Sequence, residues 1–96
     1  MLEIRPICEH CGKELSADSV DAMICSFECT FCKNCVDTVL LNVCPNCGGG
    51  LEKRPIRPQD MLVNFPSRNL KIHNPVESVQ FKPLLMRYKD ILPHKR

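Results

Sequence analysis

The run Cys25-Ser26-Phe27-Glu28-Cys29-Thr30-Phe31-Cys32-Lys33-Asn34-Cys35-Val36 packs four cysteines into twelve residues. Two further pairs flank it, Cys8-Glu9-His10-Cys11 before and Cys44-Pro45-Asn46-Cys47 after. Two residues between cysteines allow both sulfurs to reach one ion from a tight turn, at the Zn–S distance of about 2.3 Å. Such a knuckle also aims backbone N–H groups at the thiolates. One Cys-x-x-Cys is shared with redox pairs, whereas four pairs in series, with Cys25 and Cys29 as a looser one, point to metal. Eight ligands divide into two closed Cys₄ sites, which are structural because a catalytic zinc keeps a position for water or substrate.

The rest of the composition says why metal is needed. Between Cys8 and Cys47 there is no tryptophan or tyrosine, and the only phenylalanines are Phe27 and Phe31. A segment of about 50 residues buries too little apolar surface to fold without disulfides or metal. The start, Met1-Leu2-Glu3-Ile4-Arg5-Pro6, lacks the basic and apolar regions of a signal peptide. Apolar runs such as Thr38-Val39-Leu40-Leu41 fall far short of the roughly 20 residues that span a bilayer. The expectation is a cytoplasmic chain with reduced thiols, where dense cysteine means metal. An even cysteine count also suits disulfides. Cys29-x-x-Cys32-x-x-Cys35 also resembles part of a ferredoxin run, although Cys44 follows too late and four cysteines are left over.

With Cys44-Pro45-Asn46-Cys47, the central run resembles the middle of a RING finger, over residues 8–47. The resemblance implies a cross-brace, with Cys8, Cys11, Cys32 and Cys35 on one Zn²⁺ and Cys25, Cys29, Cys44 and Cys47 on the other. Spacing alone equally allows sequential pairing, the first four cysteines on one ion and the last four on the second. Ligase RINGs usually carry an aliphatic residue just before the second ligand, to contact a ubiquitin-conjugating enzyme, and a cationic residue soon after the last. Here His10 and Gly48-Gly49-Gly50 stand in those places. The whole chain also resembles a bacterial family, domain of unknown function 1272, through Leu2-Glu3-Ile4-Arg5-Pro6, the stretch from Ile24 to Cys32 and a basic proline-rich tail. That resemblance implies a bacterial origin and supplies no activity.

Charge divides the chain. Residues 1–50 carry three Lys/Arg against seven Asp/Glu, and residues 51–96 carry ten against four. Two Cys₄ zinc sites, each with a net charge of −2, take the first part from −4 to −8. The expected organisation is a two-zinc RING-like module over 1–50, followed over 51–96 by a basic, proline-rich linker and a C-terminal helix packed on the module. Within the module, Val36, Val39 and Leu40 suggest one short helix after Cys35, ended near Asn42, with little β-structure. Met61, Leu62, Val63 and Phe65 are apolar enough to pack. Lys82-Pro83 suggests a helix start, with Leu84, Leu85, Tyr88, Ile91 and Leu92 along one face up to Pro93. That face serves either docking on its own module or a partner's groove.

No catalytic constellation stands out, so the chain reads as a non-catalytic zinc protein presenting a rigid surface to a protein partner. Glu28, between two ligands, lacks an activated water at a closed site and reads as a solvated or knuckle-bonding side chain. His10, His73 and His94 read as solvated. Nucleic-acid binding through the basic tail is an alternative, against which stand the acidic module and a tail whose only aromatics for stacking are Phe81 and Tyr88, apart from Phe65. A RING-type ligase-like adaptor is a second alternative. Partner, pathway and oligomeric state are not written in the sequence.

Overall fold

The computed structural model describes residues 1–96. β-Branched and aromatic residues at Ala22–Ile24 (β1) and Thr30–Cys32 (β2) pair as an antiparallel hairpin, Met23 opposite Phe31. Its loop is Cys25 to Cys29, closed by Glu28 N–H to the Cys25 carbonyl at 3.0 Å, with Glu28 in the left-handed region at φ 68°. A two-residue strand, Glu52–Lys53 (β3), pairs antiparallel with the other edge of β1, giving the order β2-β1-β3. The chain therefore continues past Gly48-Gly49-Gly50 into the same sheet, and Leu51 and Arg54 on either side of β3 are buried.

The chain passes from Cys32 directly into a helical turn, Lys33–Cys35 (α1), which widens into a π-type turn over Val36–Leu40. This is the short helix expected after Cys35, begun three residues earlier at Lys33. Leu41 and Asn42 stop it in left-handed conformations at φ 48° and 62°. Val36 and Leu40 face the core, while Val39, expected beside them, is 37% exposed because the wider turn rotates it outward.

Two loops share one construction. In Cys8 to Gly12, the Gly12 N–H donates to the Cys8 carbonyl at 2.9 Å; in Cys44 to Gly48, the Gly48 N–H donates to the Cys44 carbonyl at 2.8 Å. Both glycines are left-handed, at φ +78° and +79°. Gly48 is further constrained, since a Cβ there would lie 2.8 Å from Tyr88 Cε2. Gly48→Ala is expected to cost about 2 kcal/mol through backbone strain and displacement of Tyr88, lowering the melting temperature by roughly 10 °C. A melt within 2 °C of the parent, roughly the scatter of such scans, would contradict this geometry.

The core cluster has 14 residues, six of them cysteines. That leaves eight ordinary apolar side chains, centred on Phe31, Leu15 and Leu40, which is too few to hold 96 residues together. Phe81 of the tail completes it and is 6% exposed. The tail helix is Ser78–Tyr88 (α3), not a helix starting at Pro83 and running to Leu92. Glu77 caps it, its carboxylate accepting from Gln80 N–H at 2.7 Å, so the first turn forms ahead of Pro83 and inserts Phe81. Pro83 lies inside the helix, and the carbonyl it cannot bond belongs to Val79, which is 76% exposed and open to water. Leu92 is extended, as a residue before proline prefers, so Ile91 and Leu92 leave the helix and remain exposed.

Leu84, Leu85 and Tyr88 do pack on the core, and Pro93–Lys95 forms a 3₁₀ turn. The last residue, Arg96, donates to the carbonyls of Asn42 and Gly48. Between module and tail helix, the short helix Gln59–Leu62 (α2) buries nothing, and Met61, Val63 and Phe65 are exposed.

Candidate metal centre

The fold gathers the cysteines in an alternating order. The Cys8 to Gly12 loop and the junction of β2 with α1 bring the sulfurs of Cys8, Cys11, Cys32 and Cys35 within 4.8 Å of one another. The hairpin loop and the second glycine-closed loop do the same for Cys25, Cys44 and Cys47. Cys29, placed with those three by the RING resemblance, stands outside that 4.8 Å group. Its sulfur instead accepts from the Asn46 side-chain N–H at 3.3 Å.

A tetrahedron built on Zn–S bonds of about 2.3 Å has edges of about 3.8 Å. Cys11 and Cys32 sulfurs are 3.7 Å apart, so the first group fits a single tetrahedral ion. No pair is bonded as a disulfide. Backbone N–H groups turn toward the sulfurs as knuckles require, with Phe27 N–H on Cys25 at 3.3 Å and Gly49 N–H on Cys47 at 3.4 Å.

The electrostatics call for a cation. Burial pushes the Cys35 thiol far above its usual range, reinforced by the Cys32 and Cys11 sulfurs. Burial does the same at Cys44, against backbone N–H groups of Asn46 and Cys47. It raises Cys32 and Cys29 as well, whereas at Cys11 burial is outweighed by the Lys13 backbone and neighbouring thiols, and the net shift is downward. Crowded sulfurs that resist ionising become thiolates together only when a cation is bound between them.

A family model described as "Protein of unknown function (DUF1272)" matches residues 1–57, which include both cysteine groups and all three strands. The chain belongs to the DUF1272 family. An uncharacterized protein of Rhizobium meliloti (strain 1021) is 52% identical over 75 residues, covering 78% of this chain and 89% of that protein. No solved structure matches. No helix of this DUF1272 chain is long and apolar enough to cross a membrane.

Several side chains around the cysteines have roles that their types did not announce. His10 is not solvated, because its Nδ1 accepts from Val76 N–H at 2.8 Å and ties the first loop to the tail. His73 meets the His10 carbonyl at 3.2 Å. Glu28 accepts from the Glu3 N–H and anchors the N-terminal segment. Glu9, within the first knuckle, reaches toward the second group, its Oε1 accepting from Asn46 at 2.9 Å. Arg54 is a buried core residue and not a solvated tail cation. The Glu9 and Asn46 contact has one readable signal, a polar residue inside each Cys-x-x-Cys. Nothing in the pattern marks Arg54.

Proposed function

We propose that this DUF1272 protein is a non-catalytic zinc protein, its two ions held in a RING-like cross-brace, and that it presents the resulting rigid surface to a protein partner. The observation carrying this reading is the alternation of the sulfur groups along the chain, with the first group at tetrahedral spacing. All-thiolate ligation with no open position favours a structural ion over a reactive one. A multi-iron cluster would bond its thiolates to different irons and spread the sulfurs further than this. Cys29 completes the second site once it turns from Asn46 to the ion. Eight free thiols suit a reducing compartment, in keeping with a cytoplasmic location.

The alternatives draw less support. Arg57 donates to Leu2 and Phe65 carbonyls, Arg68 pairs with Glu3 at 2.6 Å, and Arg54 and Arg96 bond main-chain oxygens. Four of the ten basic tail residues are thus taken up within the chain. Phe81 is buried and Tyr88 half-buried, which leaves Phe65 as the tail's one exposed aromatic, too few for a row of stacked bases. For a ligase-like adaptor, the two positions that matter in the RING resemblance are covered, His10 by Val76 and Gly48 by Tyr88.

The test is affinity capture on metal-loaded protein and on a Cys8→Ser, Cys11→Ser variant, followed by reconstitution with the purified captured protein. Expected is a stoichiometric complex with the metal-loaded form alone. A salt-sensitive gel shift in place of any protein complex would move the assignment to nucleic acid. Discharge of a charged ubiquitin-conjugating enzyme would move it to a ligase.

A further inference from the structure

The two cysteine groups are unequal, and what makes them so lies outside both. At the first, four sulfurs already stand within 4.8 Å of each other; at the second, only three do. The missing one, Cys29, is not exposed; it is 8% accessible and bonded to the Asn46 amide. The same amide nitrogen donates to Glu9 Oε1 at 2.9 Å. The Glu9 side chain is 8% exposed, its Oε2 has no hydrogen-bond partner, and the nearest cation is Arg5 Nη1 at 3.9 Å. A fourth thiolate takes the charge of the second site from −1 to −2, and it would arrive beside a buried carboxylate that is only partly offset. Cys29 therefore has an alternative partner in the Asn46 amide, while the Glu9 carboxylate and the Arg5 guanidinium beside it act on its charge in opposite senses.

Resting on the two-metal reading, we propose that the second site is the exchangeable one, with Asn46 as a gate on its fourth coordination position. Cys29 alternates between the ion and the Asn46 amide. When it detaches, its sulfur accepts the Asn46 amide N–H, as it does in this structure. An ion at the second site would then be held by Cys25, Cys44 and Cys47 alone, and would be open to exchange with an incoming thiolate chelator. Zinc at the first site stays in place throughout.

Exposure alone does not favour either site, since each has one exposed thiol, Cys11 in the first and Cys47 in the second. The experiment is a graded chelator challenge of the zinc-loaded chain, with alkylation by N-ethylmaleimide, native mass spectrometry and peptide mapping. A one-zinc species is expected to accumulate, labelled at Cys25, Cys29, Cys44 and Cys47 and protected at Cys8, Cys11, Cys32 and Cys35. Asn46→Ala, which removes the competing partner, is expected to slow release from the second site by about tenfold, within the range seen for residues supporting metal ligands. Loss of both ions in one step, or labelling of the first group ahead of the second, overturns the gate and leaves the two-metal reading intact. Unchanged or faster release in Asn46→Ala also overturns it, since Asn46 would then be inert or a support for the bound thiolate. The order of labelling in the parent needs no variant, so a poorly folded Asn46→Ala does not remove the test. A parent chain that binds no metal overturns both readings.

Discussion

Strong chelator is expected to unfold residues 8–47, with loss of the far-ultraviolet circular dichroism signal and of any cooperative melt. The magnitude follows from the core. Eight apolar residues besides the cysteines make up its buried cluster, and the sheet strands are two or three residues long. Short strands and a small core are marginal by themselves. A structural zinc supplies about 10–16 kcal/mol in peptide models, as much as or more than the whole stability of a typical domain at about 5–15 kcal/mol. Removing both ions is therefore enough. The tail should follow, because Phe81 and Tyr88 rest on a surface formed by the module. A spectrum and melting curve unchanged by chelator would contradict a metal-held fold.

The second large effect is at Arg54, expressed in metal-loaded protein. Its guanidinium is 1% exposed and pairs with no carboxylate; it bonds the carbonyls of Arg5 at 2.9 Å and Ser16 at 2.8 Å. Its backbone N–H donates to Ala22, so this one residue joins the N-terminal segment, the loop before β1 and the strand edge. Burial lowers its pKa, the sign of a cation held away from water. Arg54→Ala removes that unfavourable burial but strands two carbonyls and leaves a cavity. Stranded polar groups cost about 1–3 kcal/mol each, and the cavity adds to that. The expected net loss is about 3 kcal/mol, a fall of roughly 15 °C in melting temperature for a chain of this size. A fall below about 3 °C would mean that the bonds do no more than offset the buried charge.

How far the sequence could be read differs between its parts. The cysteine spacing announces metal because few other constraints place two residues between thiols so often. The glycines that close two of the turns, Gly12 and Gly48, follow their pairs at the same offset, a signal that becomes legible only beside their left-handed backbone. The tail was read less well. Periodicity points to a helix around Leu84 to Tyr88, but Pro83 resembles a start signal where the real start is the Glu77 cap, six residues earlier. A capping carboxylate and a buried Phe81 together outweigh the lost N–H of Pro83. Arg54, His10 and Glu9 were illegible for one shared reason. Each is polar, and whether a polar residue is solvated or bonded inside depends on partners 37 to 66 positions away, as between His10 and Val76 or Glu9 and Asn46. Charge counting gave the sign of the tail but not its partners, since several of its cations bond main-chain oxygens and not the module's carboxylates.

The most direct test of the central claim is native mass spectrometry with elemental analysis, on the parent and on a Cys8→Ser, Cys11→Ser variant. Two zinc ions in the parent and about one in the variant are expected, because the variant takes two sulfurs from one group and none from the other. A parent free of metal, with its mass lowered by the hydrogens of paired thiols, would show disulfides and contradict the account at its root.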